Sequence, residues 1–219
     1  MRLVSLACSN TEIVCALGCA GMLVGVDDHS DRPAAVVSRL PRVGPDLHVD
    51  VARVAALKPD LVLASLTVPG HERVVAALAE AGLPFVSLEP VALADVYRDI
   101  ADIARALGVL ERGERLVGQM RRQIVGQDAP EPRPKVLVQW WNRPTIAPGR
   151  LSWVTELLEE AGGSNPLGGE RCKSRPVADE EVAALNPDAI VLSWCGVAPE
   201  KYRPEVVLRN PVWRDVAAV

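Results

Sequence analysis

Short uninterrupted apolar runs punctuate the chain. They include Leu23-Val-Gly-Val26, Leu61-Val-Leu-Ala64, Val136-Leu-Val138 and Ala189-Ile-Val-Leu192. Runs of this length without polar alternation belong to strands covered on both faces. Together with similar runs they predict strands at 2–7, 23–26, 60–65, 84–88, 135–140 and 188–193. Between them, apolar residues recur every three or four positions. That period predicts helices at 10–17, 50–57, 71–81, 92–107, 111–126, 152–161 and 179–185. Ser9 and Glu12 have the spacing of a capping box at the start of the first helix. The free N–H groups of Ser9-Asn10-Thr11 would also suit an anionic group. Strands alternating with helices in this way make an α/β fold with mainly parallel sheets.

An internal echo divides the chain. Val54-Ala-Ala-Leu-Lys-Pro-Asp-Leu-Val-Leu-Ala-Ser65 recurs as Val182-Ala-Ala-Leu-Asn-Pro-Asp-Ala-Ile-Val-Leu-Ser193, with seven of twelve positions identical at an offset of 128. In each copy a helix ends at Leu, Pro prevents its continuation, Asp turns the chain and a buried strand follows. The expectation is two Rossmann-like lobes, 1–91 and 128–219, joined by helices over 92–127. The second of these helices starts after a break at Gly108, and Gln127–Pro134 forms a stiff Pro-rich spacer. Ligands of such sheets bind beyond the carboxyl ends of the strands. The loops there are Ala7–Thr11, Asp27–Arg32 and Ser65–His71 in the first lobe, and Trp140–Leu151 and Trp194–Pro199 in the second. Facing lobes would bring them to one cleft.

Composition narrows the class. Hydrophobic residues make up 49% and charged residues 24%, which excludes wholesale disorder. The net charge is −4 and no dense basic run occurs, so a dedicated nucleic-acid binder is not expected. Five cysteines without C-x-x-C spacing provide neither a complete disulfide framework nor a zinc finger. No apolar run reaches the roughly 18 residues of a transmembrane helix. The opening 26 residues imitate a signal peptide, but Ser9–Glu12 interrupt its apolar core, and no leader precedes a lipoprotein cysteine.

Several segments resemble class III (helical-backbone) substrate-binding proteins of ABC importers, and the cobalamin-binding branch most of all. They are the opening Arg2–Gly18, Leu23-Val-Gly-Val-Asp-Asp-His-Ser-Asp31, Leu40-Pro-Arg-Val-Gly44, the Leu-Lys-Pro-Asp motif within Val54–Ser65, and Ser152–Gly163. The resemblance covers nearly the whole chain. It implies two α/β lobes joined by one long helix, with the ligand captured between them and little closure on binding. It implies a non-enzymatic protein that requires no cofactor and works with an ABC permease outside the cytoplasm. Because the chain shows no export signal, a cytoplasmic relative is an alternative. The family continues beyond Asn210-Pro-Val-Trp213, so the second lobe is expected to be abbreviated relative to it.

The site carries over unevenly. The tyrosine bordering the corrin ring falls at His29, and the pocket tryptophans fall at Asp46, Ser65 and Ser174. The permease-docking carboxylates fall at Ala52 and Glu180, with Asp50 as the substitute for the first. Cobalamin or another corrinoid is the leading ligand. Haem, a ferric chelate, or Zn²⁺ or Mn²⁺ are alternatives. From the first lobe the expected contacts are Asn10, His29, Ser65, Leu66, Thr67 and Val68, with His29 the metal-coordinating residue. From the second they are Trp140, Trp141, Trp153, Arg175 and Trp194. Flat indoles offer apolar area to a planar ring, and Arg175 offers a partner for an acid. The three histidines with Asp27, Asp28 and Asp46 also permit a metal site, in no compact ligand pattern. A metal- or thiol-dependent enzyme (using Cys8 or Cys195) and a non-transport sensor are the further alternatives.

Overall fold

The structure, a computed structural model, describes residues 1–126, 131–194, 197, 203 and 205–219. Two compact units divide it: Met1–Pro90 with Tyr97–Met120, and Val91–Val96 with Arg121–Val219.

The first unit is built on β1 (Leu3–Ser5), β2 (Leu23–Val26), β3 (Leu61–Ser65) and β4 (Phe85–Leu88), all parallel, in the order β2-β1-β3-β4. Successive side chains alternate between two cores. Leu3 and Leu63 pack with Val14 and Leu17 of α1 (Cys8–Ala16) and with Ile103 and Ala104 of α5 (Leu93–Ala106). Val4 and Val62 pack on the other face with Val54 of α3 (Val51–Ala56) and Leu78 of α4 (His71–Glu80). This two-sided burial explains why the strands read as unbroken apolar runs. A short α2 (Ala34–Val37), which no periodicity announced, follows β2. The helical region after β4 is two helices, α5 and α6 (Leu110–Gln123), separated at Gly108, whose φ of +72° suits glycine.

Helix α1 begins two residues earlier than expected. Its N-cap is Ala7, with no side-chain cap, so Ser9 lies inside the first turn and the Ser9–Glu12 capping box does not form.

The second unit pairs β5 (Val136–Gln139) with β9 (Ala189–Leu192) in parallel. Beside them runs an antiparallel ribbon of β6 (Trp141–Asn142), β7 (Thr145–Pro148) and β8 (Ser174–Val177), in place of the loops that the hydrophobic pattern predicts there. Its strands are two to four residues long and mix apolar with polar residues and proline, so they carry no apolar run to find. Helices α7 (Trp153–Glu160), α8 (Asp179–Leu185) and α9 (Glu205–Leu208) complete the unit. Leu137, Val177, Val182 and the buried Trp213 share its core. Residues 127–130 of the Pro-rich spacer lie outside the described residues.

The internal echo has a physical basis. Lys58 and Asn186, at matching positions, are the two non-glycine residues with positive φ among the described residues, at +49° and +43°. The aspartate that follows then grips the residue just before the neighbouring strand. Asp60 accepts from the Arg2 N–H at 2.6 Å, and its own N–H donates to Arg2 O at 2.8 Å. Asp188 does the same with Lys135, at 2.7 and 2.8 Å. The cationic side chain of the gripped residue returns to the end of the helix: Arg2 to Leu57 O, Lys135 to Leu185 O. That satisfies a helix-end carbonyl with a positive charge.

Asp60→Ala and Asp188→Ala should each lower stability by about 1 kcal/mol, the net worth of the hydrogen bond removed. Urea unfolding of each variant checks this, with a lower midpoint and unchanged slope expected.

Candidate functional site

In a parallel sheet of order β2-β1-β3-β4, the chain reverses its winding between β1 and β3. Ligands of such sheets bind at the carboxyl ends beside this switch point. Three chain segments gather on that edge: the start of α1, the loop Asp27–Ser30 after β2, and the loop Leu66–Gly70 after β3.

Buried polar groups hold the Asp27–Ser30 loop. The Thr11 hydroxyl bonds the Ser5 hydroxyl at 2.8 Å and the Ser30 hydroxyl at 2.7 Å. Ser30 donates to Asp27 Oδ1 at 2.5 Å, and the His29 N–H donates to Asp27 Oδ2 at 3.0 Å. From outside, the Arg42 guanidinium donates to Asp27 O and Ser30 O at 2.8 and 2.6 Å. Ser5, Thr11, Asp27 and Ser30 are all buried. Burial pushes the Asp27 carboxyl above its ordinary value, against the pull of the Ser30 and His29 bonds. The sequence reading missed this network, although the Asp27-x-x-Ser30 spacing was its available signal.

His29 is half-buried at the tip of the loop, with Nε2 3.5 Å from Asp46 Oδ1. His71 reaches the other oxygen of the same carboxylate, Nε2 to Oδ2 at 3.3 Å, and is 5% exposed. The Asp46 carboxyl is held below its ordinary range, chiefly by the His71 bond and despite its burial. His48 is exposed. Among the described residues, no group of three or more His, Cys, Asp or Glu is arranged to hold a metal ion, so the expected His/Asp metal cluster is not assembled there.

The other first-unit candidates have structural partners. Asn10 is buried and donates to Ala64 O at 3.1 Å, joining α1 to β3. Ser65 is buried and bonds the Thr67 hydroxyl at 2.9 Å. Leu66 and Thr67 are half-buried, whereas Val68 is exposed.

In the second unit the tryptophans separate. Trp141 is 44% exposed on β6, and Trp140 is half-buried just before it. Trp153 opens α7, half-buried. Trp194 packs against the unit's core and donates its indole N–H to Gln139 Oε1 at 2.9 Å. Arg175 is fully engaged. Its five N–H groups go to both oxygens of Glu170, both oxygens of Glu181 and Pro176 O, at 2.5–3.0 Å. Those bonds hold both glutamates below their ordinary values. A cavity of about 670 Å³ lies between the β6–β7 turn and the 206–213 segment, touching Arg143, Asp179 and Arg209; none of the candidate tryptophans lines it. Of the two docking candidates, Asp50 caps α3 by accepting from the Arg53 N–H, and Glu180 is exposed in the first turn of α8. Cys8 is exposed, and Cys195 lies outside the described residues.

The folded Asp46 carboxyl titrates below the ordinary 3.8, so its stabilisation is complete above that value and disappears as pH falls through the folded one. Asp46→Asn should therefore lower the urea midpoint at neutral pH, and the two proteins should converge as pH falls below the ordinary aspartate range and through the titration of the folded carboxyl.

Comparisons with known proteins agree on one family. Residues 3–219 match the periplasmic binding protein family. An ABC transporter substrate-binding lipoprotein of Bacillus subtilis strain 168, YvrC, is 28% identical over 230 residues, covering 100% of this chain and 69% of that protein. A vitamin B12-binding protein of Yersinia pestis strain Pestoides F is 27% identical over 195 residues, covering 88% of this chain and 69% of its own length. A periplasmic heme-binding protein of Pseudomonas aeruginosa superposes with a TM-score of 0.80 at 26% identity, over 99% of this chain and 80% of that one. The family is one of extracytoplasmic solute-binding proteins rather than enzymes. No helix among the described residues is long and apolar enough to cross a membrane. With its α/β units and parallel first sheet, this chain belongs to the periplasmic binding protein family, as a substrate-binding protein of ABC import with the class III fold.

Proposed function

We propose that this protein captures a metal-centred tetrapyrrole, cobalamin first, outside the cytoplasm and presents it to an ABC permease. The observation that carries the reading is His29. It is a half-buried imidazole on a loop fixed by buried hydrogen bonds, at the carboxyl edge of the first sheet and one strand from the switch point where such sheets take their ligands. A single imidazole of this kind serves as an axial donor to cobalt or iron without a multi-residue metal site. The Yersinia relative, which binds vitamin B12, supports cobalamin.

Haem is the second reading, and a specific observation favours it. His29 stands where the cobalamin branch carries tyrosine, and imidazole is a common axial ligand of haem iron. The Pseudomonas neighbour, which binds heme, fits that alternative.

The first-unit contacts proposed are His29 and the loop Ser65–Val68, with the exposed Val68 offering apolar area. Trp141, in the second unit, is a separate candidate contact and is judged by its own variant. Asn10, Trp194 and Arg175 take supporting roles, since their polar groups already serve Ala64, Gln139 and the two glutamates. Asp50 and Glu180 are the proposed permease contacts.

Absorbance and Trp-fluorescence titrations with cobalamin and haemin test this. Saturable binding of one of them is expected. His29→Ala should weaken it by about tenfold or more, equivalent to ~1.4 kcal/mol, and change the metal-sensitive bands. Trp141→Ala should weaken it without moving those bands. Absence of binding by both ligands would overturn the reading.

A further inference from the structure

The carboxylate of Asp46 is placed between two histidines that arrive from different loops. His71 opens α4, and its backbone N–H bonds Val68 O at 3.2 Å. The Val68 N–H in turn donates to His71 Nδ1 at 3.3 Å. A ring nitrogen that accepts a hydrogen bond carries a lone pair, so the proton of the neutral ring is on Nε2, facing Asp46 Oδ2. Asp46 is fixed on its own side as well, because Oδ1 accepts from the Leu47 N–H at 2.9 Å. The turn before it is set by Gly44, whose φ of +99° and 2.8 Å clearance between an added Cβ and His48 O leave room for no side chain. Gly44 also joins this segment to the β2 loop, since Asp28 N–H donates to Gly44 O at 2.9 Å and Gly44 N–H donates to Asp28 Oδ1 at 3.2 Å.

The result is a chain of contacts from Val68 through His71 and Asp46 to His29. It crosses three loops on the carboxyl edge of the first sheet. We infer that Asp46 and His71 are positioning residues for His29: the carboxylate, gripped by the buried His71, faces His29 Nε2 and keeps the ring proton there, so that Nδ1 carries the lone pair offered to a bound tetrapyrrole. The consequence for ligand binding rests on the function proposed above, whereas the positioning itself is a property of the ligand-free chain. At 3.5 Å the Asp46–His29 contact acts through charge more than through a tight hydrogen bond. A neutral amide of the same shape therefore cannot replace the carboxylate. Carboxylates behind ligating histidines elsewhere fix both tautomer and ring orientation, and their loss costs about 10- to 100-fold in affinity.

The experiment has a ligand-free arm and a ligand arm. Nitrogen-15 NMR of histidine-labelled protein at about pH 8, above the ordinary histidine range, reads the tautomer of each ring. In the wild type, His71 and His29 should both be protonated at Nε2. In Asp46→Asn, His29 should move towards a mixture of tautomers. In the ligand arm, Asp46→Asn should lower affinity for cobalamin or haemin, whichever the wild type binds, by about 10- to 100-fold and shift the absorption bands of the complex. A wild-type His29 carrying its proton on Nδ1 would overturn the inference even if Asp46→Asn failed to fold. So would a His29 tautomer indifferent to Asp46→Asn. Unchanged affinity and spectrum in Asp46→Asn, where His29→Ala alters both, would overturn it while leaving the tetrapyrrole reading intact. If the wild type binds neither ligand, that reading falls and the tautomer comparison alone decides the positioning.

Discussion

The buried hydroxyl–carboxylate chain Ser5–Thr11–Ser30–Asp27 is the constraint on which the carboxyl edge of the first sheet depends. A parallel sheet covered on both faces spends its surface on apolar contact, and polar chemistry is left to the loops at its ends. A loop at such an edge holds one conformation when its buried polar groups find hydrogen-bond partners. Here β1 supplies Ser5, α1 supplies Thr11, and the β2 loop supplies Ser30 and Asp27, so side chains join three elements, beside the backbone bond from Asp27 N–H to Ser5 O. Arg42 closes the loop from outside by taking its two carbonyls. His29 is placed as a consequence of that network, because its own backbone N–H is one of the bonds to Asp27.

The same economy appears in the turn repeated between the units. A left-handed residue, a proline and an aspartate end a helix and start a strand. The aspartate then registers that strand against its neighbour through the residue just before the neighbour. The identity of seven positions in twelve is thus a shared turn chemistry whose bonds can be counted in both units. Beyond that turn the units differ. The first extends its parallel sheet to four strands, and the second sets an antiparallel ribbon beside two parallel strands.

The parallel strands and the larger helices were legible because burial on two faces writes apolar runs, and burial on one face writes a period of 3.6. The ribbon β6–β8 was not, since Trp141-Asn142, Thr145–Pro148 and Ser174–Val177 carry neither pattern. Ser9 and Glu12 misled for a related reason: capping spacing is local, whereas the start of α1 is set by Thr11 turning inward to Ser5 and Ser30. Site legibility followed the same division. His29 could be selected from its position after a strand. Its partner Asp46 lies 17 residues away in sequence, and no spacing announces that two histidines share one carboxylate. Arg175 illustrates the converse, a residue chosen for its charge whose five donors are consumed by Glu170, Glu181 and Pro176.

On the proposed function, the carboxyl edge of the first sheet takes the ligand and is held in place before the ligand arrives. Hydrogen–deuterium exchange of the intact protein with and without saturating cobalamin, and separately with haemin, tests that most directly. The predicted result is protection concentrated in peptides covering 27–30, 44–47 and 65–71, with little change in the already buried strands β1 and β3. Saturable binding that leaves those three segments exchanging as in the free protein would contradict it.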